Sequence, residues 1–184
     1  WILFLFSHLL KKLFALTSLT CIAFGSESLP YSAELLDEGD GFESSIIFSI
    51  SQDHRGFLWF GTAYDGVLRY DGKNVVQYSV DSALGYQLPD NNAGNLTFDN
   101  DNNLWVGGWG SGAVKLDPIT GEYEQFLPSE ANNGSISSSY IQNIFVDSEN
   151  QIWLGSNGNG LNLFNSEENN FKHFNDTNDF TETR

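Results

Sequence analysis

Three short apolar runs, Leu58-Trp59-Phe60, Leu104-Trp105-Val106 and Ile152-Trp153-Leu154, punctuate a polar, glycine-rich stretch of the chain. None alternates with polar residues, as a strand with one wet face would. Each therefore predicts a strand buried on both sides. Shorter apolar segments flank each run, separated by Asp, Asn, Gly and Ser. In the first unit they predict four strands, A to D, at residues 45–51, 57–62, 67–70 and 75–78. No 3.6-residue periodicity accompanies them, which sets helical solenoids aside.

The runs belong to an internal repeat. Trp59, Trp105 and Trp153 lie 46 and 48 residues apart, each six residues after an aspartate (Asp53, Asp99, Asp147). Glycines follow two residues later (Gly61, Gly107, Gly155) and seven later (Gly66, Gly112, Gly160). Ile50, Leu96 and Ile144 precede the aspartates in register, and each unit closes on an aromatic, Tyr78, Phe126 or Phe174. Four antiparallel strands recurring at 46–48 residues are the mark of a β-propeller, whose blades are sandwiched between like blades. The fold class expected is all-β: a β-propeller fragment of three four-stranded antiparallel blades, with the ring not closed in this chain. The repeated aspartates read as turn-formers at the A–B turns, ahead of a Gly or Asn that accepts the left-handed conformation. The tryptophans read as packing between blades.

These residues resemble the two-component regulator propeller family. Its repeat is similar to the stretch from Ile50 to Val67, Asp53 through Leu58-Trp59-Phe60-Gly61-Thr62 included, followed by Arg69-Tyr70-Asp71-Gly72. The second copy has Asn102 for the repeat's glycine and Gly108 for its threonine; the third has Asn150 and Ser156. The resemblance covers about residues 43–174. It implies a periplasmic sensor propeller of a hybrid sensor histidine kinase or diguanylate cyclase, with the remaining blades, a transmembrane helix and the output domain lying outside this chain. It also implies a receptor that works as a homodimer.

Composition changes the picture in two ways. The formal net charge is −16 with only eight Lys and Arg, which excludes nucleic acid as a partner because phosphate binding needs clustered cations. The first 25 residues differ from the rest. Lys11 and Lys12 precede an apolar run at 13–24, and Ala23-Phe24-Gly25 supplies a small-x-small exit, the pattern of a secretory signal cleaved after Gly25. An uncleaved anchor is the competing reading, although the lysines split 1–24 below the length of a spanning helix. Cys21, the one cysteine, lies in this segment in a poor lipoprotein context. With no Met and Trp1 at its start, the chain reads as part of a longer protein. The expected organisation is a signal at 1–25, a lead-in at 26–42, blades at 43–78, 79–126 and 127–174, and the start of the next crossing at 175–184.

Candidate chemistry is sparse. His8, His54 and His173 form no pair or triad, and no cofactor motif or metal-ligand spacing is present. Asp99-Asn100-Asp101-Asn102-Asn103 imitates part of a calcium loop but lacks its glycine at position six and its acid at position twelve. It coincides with a repeated turn and is read as one. No catalytic residue is assigned, and a secreted propeller lyase or glycosidase stands as the alternative class. Ligand contacts are expected on the face where the B–C turns meet the long crossings 79–92 and 127–140, because these loops differ from one another on a repeated scaffold. The candidates are Tyr64, Asp65, Trp109, Ser111, Asn157 and Asn159. Exposed aromatics beside amides and a carboxylate suit a small polar ligand such as an oligosaccharide.

Overall fold

A computed structural model describes residues 36, 41–42, 46–82 and 85–175. The expected signal at 1–25, most of the lead-in and the tail at 176–184 lie outside the described residues. Among the described residues twelve strands form three sheets, each ordered as in sequence. The first holds β1 (Ile47–Gln52), β2 (Leu58–Thr62), β3 (Val67–Tyr70) and β4 (Val75–Tyr78); the second β5 (Asn95–Phe98), β6 (Leu104–Gly107), β7 (Ala113–Leu116) and β8 (Tyr123–Phe126). The third holds β9 (Ile141–Val146), β10 (Ile152–Ser156), β11 (Leu161–Asn165) and β12 (Asn170–Phe174). All neighbours pair antiparallel. These are the three propeller blades, and they do not close a ring. Among the described residues no helix is long and apolar enough to cross a membrane.

Strand parity explains the non-alternating apolar runs. Trp59 packs with Tyr78 against Leu96, Leu104, Val106 and Val114 of the second blade, and Trp105 repeats this with Phe126 against Ile144, Ile152 and Leu154 of the third. A middle-blade strand therefore sends Trp105 one way and its flanking Leu104 and Val106 the other, and all three are buried. Where no further blade lies against a sheet, burial fails. Ile50 is 64% exposed, while its repeat partners Leu96 and Ile144 are 6% and 7% exposed. Phe42 covers part of that first face, its ring 5.1 Å from that of Phe60.

Tight contacts between blades and within a blade set these glycines. A Cβ on Gly107 would sit 3.0 Å from the carbonyl oxygen of Ile141, where the third blade's first strand crosses. Gly112 ends the B–C turn at φ +75, and a Cβ there would collide with the carbonyl oxygen of Phe126. The A–B turns match their expected chemistry. Asp53 Oδ1 accepts the N–H groups of Arg55 and Phe57, Asp147 Oδ1 those of Glu149 and Gln151, and Asp99 Oδ1 that of Asn103. Asn102 and Asn150 take φ +64 and +62, the left-handed conformation that Gly56 takes in the first blade.

Those two asparagines do more than replace glycine. The backbone N–H of Asn100 donates to Asn150 Oδ1 at 2.8 Å, and that of His54 donates to Asn102 Oδ1 at 3.4 Å. Each turn is thereby tied to the turn of the preceding blade, which a glycine has no atoms to do.

Candidate ligand-binding face

The B–C turns and the crossings between blades share one face, as strand parity requires. Thr62 accepts the N–H of Ala93 through its carbonyl, Gly108 that of Ile141, and Ser139 those of Gly110 and Gly112. Two recesses on this face are walled by described residues, and the hydrogen bonding of their walls differs.

The larger, about 750 Å³, lies between the crossing at 128–137 and the third blade, with Asn159 and His173 among its walls. On the third-blade side its polar groups are already engaged, whereas the side chains of Glu130 and Asn133 on the crossing make no hydrogen bond among the described residues. Asn162, fully buried, stands where the first two blades carry Leu68 and Val114. Its Oδ1 accepts the Ser137 N–H at 2.8 Å, and its Nδ2 donates to the Leu154 carbonyl at 3.3 Å. Asn159 Nδ2 donates to the Ser137 carbonyl, Ser137 Oγ bonds Ser156 Oγ, and His173 Nε2 contacts the Ser135 carbonyl oxygen at 2.6 Å. Most buried polar side chains are satisfied by hydrogen bonds. Here that satisfaction fastens the long crossing to the blade. Asn159 is accordingly an anchor for the loop.

The smaller recess is a notch of about 250 Å³ walled by Trp109, Tyr140, Gln142 and Asn157. Trp109 and Tyr140 form an isolated antiparallel bridge and are 56% and 50% exposed. Although exposed, Trp109 is held in place. The Phe48 ring stacks on it at 5.8 Å and 13°, and the indole edge lies against Gly94, where a Cβ would come within 3.1 Å of Nε1. Phe48, Gly94 and Gln142 occupy one repeat position, five residues before each turn aspartate. Thus Trp109, from the second blade's turn, meets β1 through Phe48 and the residues that lead into β5 and β9, Gly94 and Tyr140. The side chains of Tyr140, Gln142 and Asn157 make no hydrogen bond among the described residues, and nothing charged walls the notch.

The six residues expected at the site thus divide. Trp109 and Asn157 share the notch. Tyr64 is 71% exposed on the first blade's turn and does not line it. Asp65 serves the turn: its N–H donates to Thr62 Oγ1 and its carbonyl accepts Gln77 Nε2. The Ser111 hydroxyl fills the place a side chain at position 108 would take, since a Cβ on Gly108 would collide with Ser111 Oγ. Ser111 and Gly108 therefore compensate one another inside the turn. Sequence reading missed Phe48, Gly94, Tyr140 and Gln142.

The opposite face holds a recess of about 560 Å³ around Asp53, His54, Asp99 and Asp101. The carboxylates of Asp53 and Asp99 are committed to turn N–H groups and to the indoles of Trp59 and Trp105. Burial alone would raise the Asp53 carboxyl. The Phe57 N–H, the Trp59 indole and the Arg55 guanidinium together hold it below its ordinary value. No group of His, Cys, Asp and Glu among the described residues is arranged to hold a metal ion.

A family model for the two component regulator propeller matches residues 41–64, 87–110 and 135–158, once per blade from the crossing to the B–C turn. Among solved structures, the extracellular domain assigned to a hybrid two component system of B. thetaiotaomicron is similar, with a TM-score of 0.71 at 20% identity over 79% of this chain and 20% of that one. A catalytically inactive virginiamycin B lyase from Staphylococcus aureus with quinupristin gives a TM-score of 0.57 at 16% identity over 82% of this chain and 47% of that one. At these identities the likeness concerns the fold. The chain spans a fifth of the first structure's length and under half of the second's. No curated protein sequence matches it.

Proposed function

Because this chain belongs to the two component regulator propeller family, we propose that it is the ligand-sensing segment of an extracytoplasmic receptor. In this reading, residues 1–25 direct export and the parent protein is anchored in the membrane. Binding on the propeller is passed to a cytoplasmic histidine kinase or diguanylate cyclase outside this chain. The propeller itself binds and carries out no chemistry. Its partners are a small polar ligand such as an oligosaccharide, the remaining blades and downstream domains, and a second receptor copy.

The observation that supports this reading is Trp109: exposed, stacked on Phe48 and packed against Gly94, and set beside three unengaged polar side chains. Pre-placed aromatic and polar groups on variable loops are what recognition requires of a repeated scaffold. A catalytic reading lacks comparable support, since His54 and His173 lie in separate recesses.

Two measurements test it. Residues 1–25 fused to leaderless alkaline phosphatase should give periplasmic activity, and an inactive fusion would remove the export step. In the full-length protein, Trp109→Ala should abolish the kinase or cyclase response to a mixed polysaccharide digest while leaving protein levels unchanged. An unaltered response would remove this face from sensing.

A further inference from the structure

Resting on that reading of the Trp109 face, we infer that the notch takes one uncharged, hydroxyl-bearing ring, a single neutral sugar unit, and excludes acidic and cationic ligands. Size is the first argument. Pockets for drug-sized ligands start at roughly 300 Å³, and this one is about 250 Å³, which leaves room for one ring. The walls give the second argument. Phe48 covers one face of the Trp109 indole at 5.8 Å and is not among the notch walls. A ligand therefore finds one free aromatic face, suited to the C–H face of a pyranose.

Charge is the third argument. The walls are an indole, a phenol and two carboxamides, from Trp109, Tyr140, Gln142 and Asn157. They carry no counter-ion, so a charged group entering the notch loses hydration without gaining a partner. The formal net charge of −16 repels anions further at long range. Cations gain from that field and from the ring faces, but a quaternary ammonium has no use for the two amides and the phenol. A ring of hydroxyls matches them, because each carboxamide both donates and accepts. Tyr140 and Gln142 are then the residues that set specificity, with Asn157.

The test is calorimetric titration of the full-length protein with methyl β-D-glucopyranoside, methyl β-D-galactopyranoside and methyl α-D-mannopyranoside. Methyl β-D-glucuronoside, choline and a neutral tetrasaccharide are the comparison ligands. At least one neutral pyranoside should bind, with the glucuronoside and choline at least about tenfold weaker and the tetrasaccharide within about tenfold of the single ring. Trp109→Ala should abolish that binding. Gln142→Ala, an exposed change that spares the fold, should weaken it about fivefold, the loss expected for one hydrogen bond. Binding that both variants leave unchanged would overturn the placement of the site. Trp109-dependent binding that favours the glucuronoside, choline or only the tetrasaccharide would keep the site and overturn the neutral single ring. No binding of any pyranoside would overturn both.

Discussion

The indole Nε1 of Trp105 donates to Asp99 Oδ2 at 3.0 Å, and both residues are buried. Trp59 with Asp53 and Trp153 with Asp147 repeat the bond at 3.2 and 3.0 Å. The six-residue spacing of aspartate and tryptophan is therefore a hydrogen bond that joins the A–B turn to the packing layer. One carboxylate oxygen shapes the turn and the other satisfies the indole, so the aspartate serves two elements at once.

Asp99→Ala should destabilise the chain by about 1–3 kcal/mol, the penalty for leaving a buried donor unsatisfied, with the lost turn bonds adding to it. Trp105→Phe removes the donor, so in its presence Asp99→Ala should cost less. A double-mutant cycle by urea denaturation measures the coupling, and additive effects would deny the bond any energetic role.

Much of this was legible in the sequence, because each blade repeats the same physical problem. The tryptophan register, the turn aspartates and the left-handed Asn102 and Asn150 were all readable from spacing. The notch was not. Tyr140 and Gln142 meet Trp109 because the second blade's B–C turn lies beside the entry to the third blade's first strand, and that juxtaposition has no signature in one unit. Two signals were present and carry meaning only with the structure in hand. Gly108 and Ser111 depart from the repeat within a single turn, and Asn162 interrupts a column otherwise filled by Leu68 and Val114.

Acid should weaken the fold through the same carboxylates. Asp53 is held below its ordinary value against the opposing effect of burial, and Asp147 is lowered by the Trp153 indole and then the Gln151 N–H. A carboxyl whose folded value lies below its unfolded one adds stability that is complete above the unfolded value, about 3.9. That stability is lost as pH falls through the folded value. Melting temperature should therefore be level from neutral pH down to about 5 and fall below about 4. Asp53→Asn should lower it at neutral pH and flatten the acid decline. An equally steep decline in the variant would place the acid sensitivity elsewhere.

Equivalent glycines should differ in tolerance. A Cβ on Gly61 would lie 2.6 Å from both the Ala93 carbonyl oxygen of the next blade and Ser49 Oγ of its own, whereas on Gly155 the nearest atoms are 3.8 Å away. In this 184-residue chain, Gly61→Ala should cost about 1–3 kcal/mol as overpacking, and Gly155→Ala less than about 0.5 kcal/mol. Thermal melts of the two variants compare them directly. Equal losses would mean that these glycines answer to a requirement within their own blade.

Asn162 offers the sharpest test of how the long crossing is held. Asn162→Leu restores the apolar pattern of the first two blades, and hydrophobicity alone predicts a more stable protein. The hydrogen bonds predict the reverse. Leucine leaves the Ser137 N–H without its 2.8 Å acceptor and the Leu154 carbonyl without its 3.3 Å donor. The expected loss is about 1–3 kcal/mol, offset in part by the added apolar burial. The local readout is clearer than the global one. Hydrogen exchange should quicken across 128–140 and stay unchanged across β1–β4, because freeing one anchor loosens the loop it ties. If 128–140 exchanges as slowly in Asn162→Leu as in the parent, the remaining contacts of Asn159, Ser156 and His173 suffice to hold the crossing, and Asn162 is not its anchor.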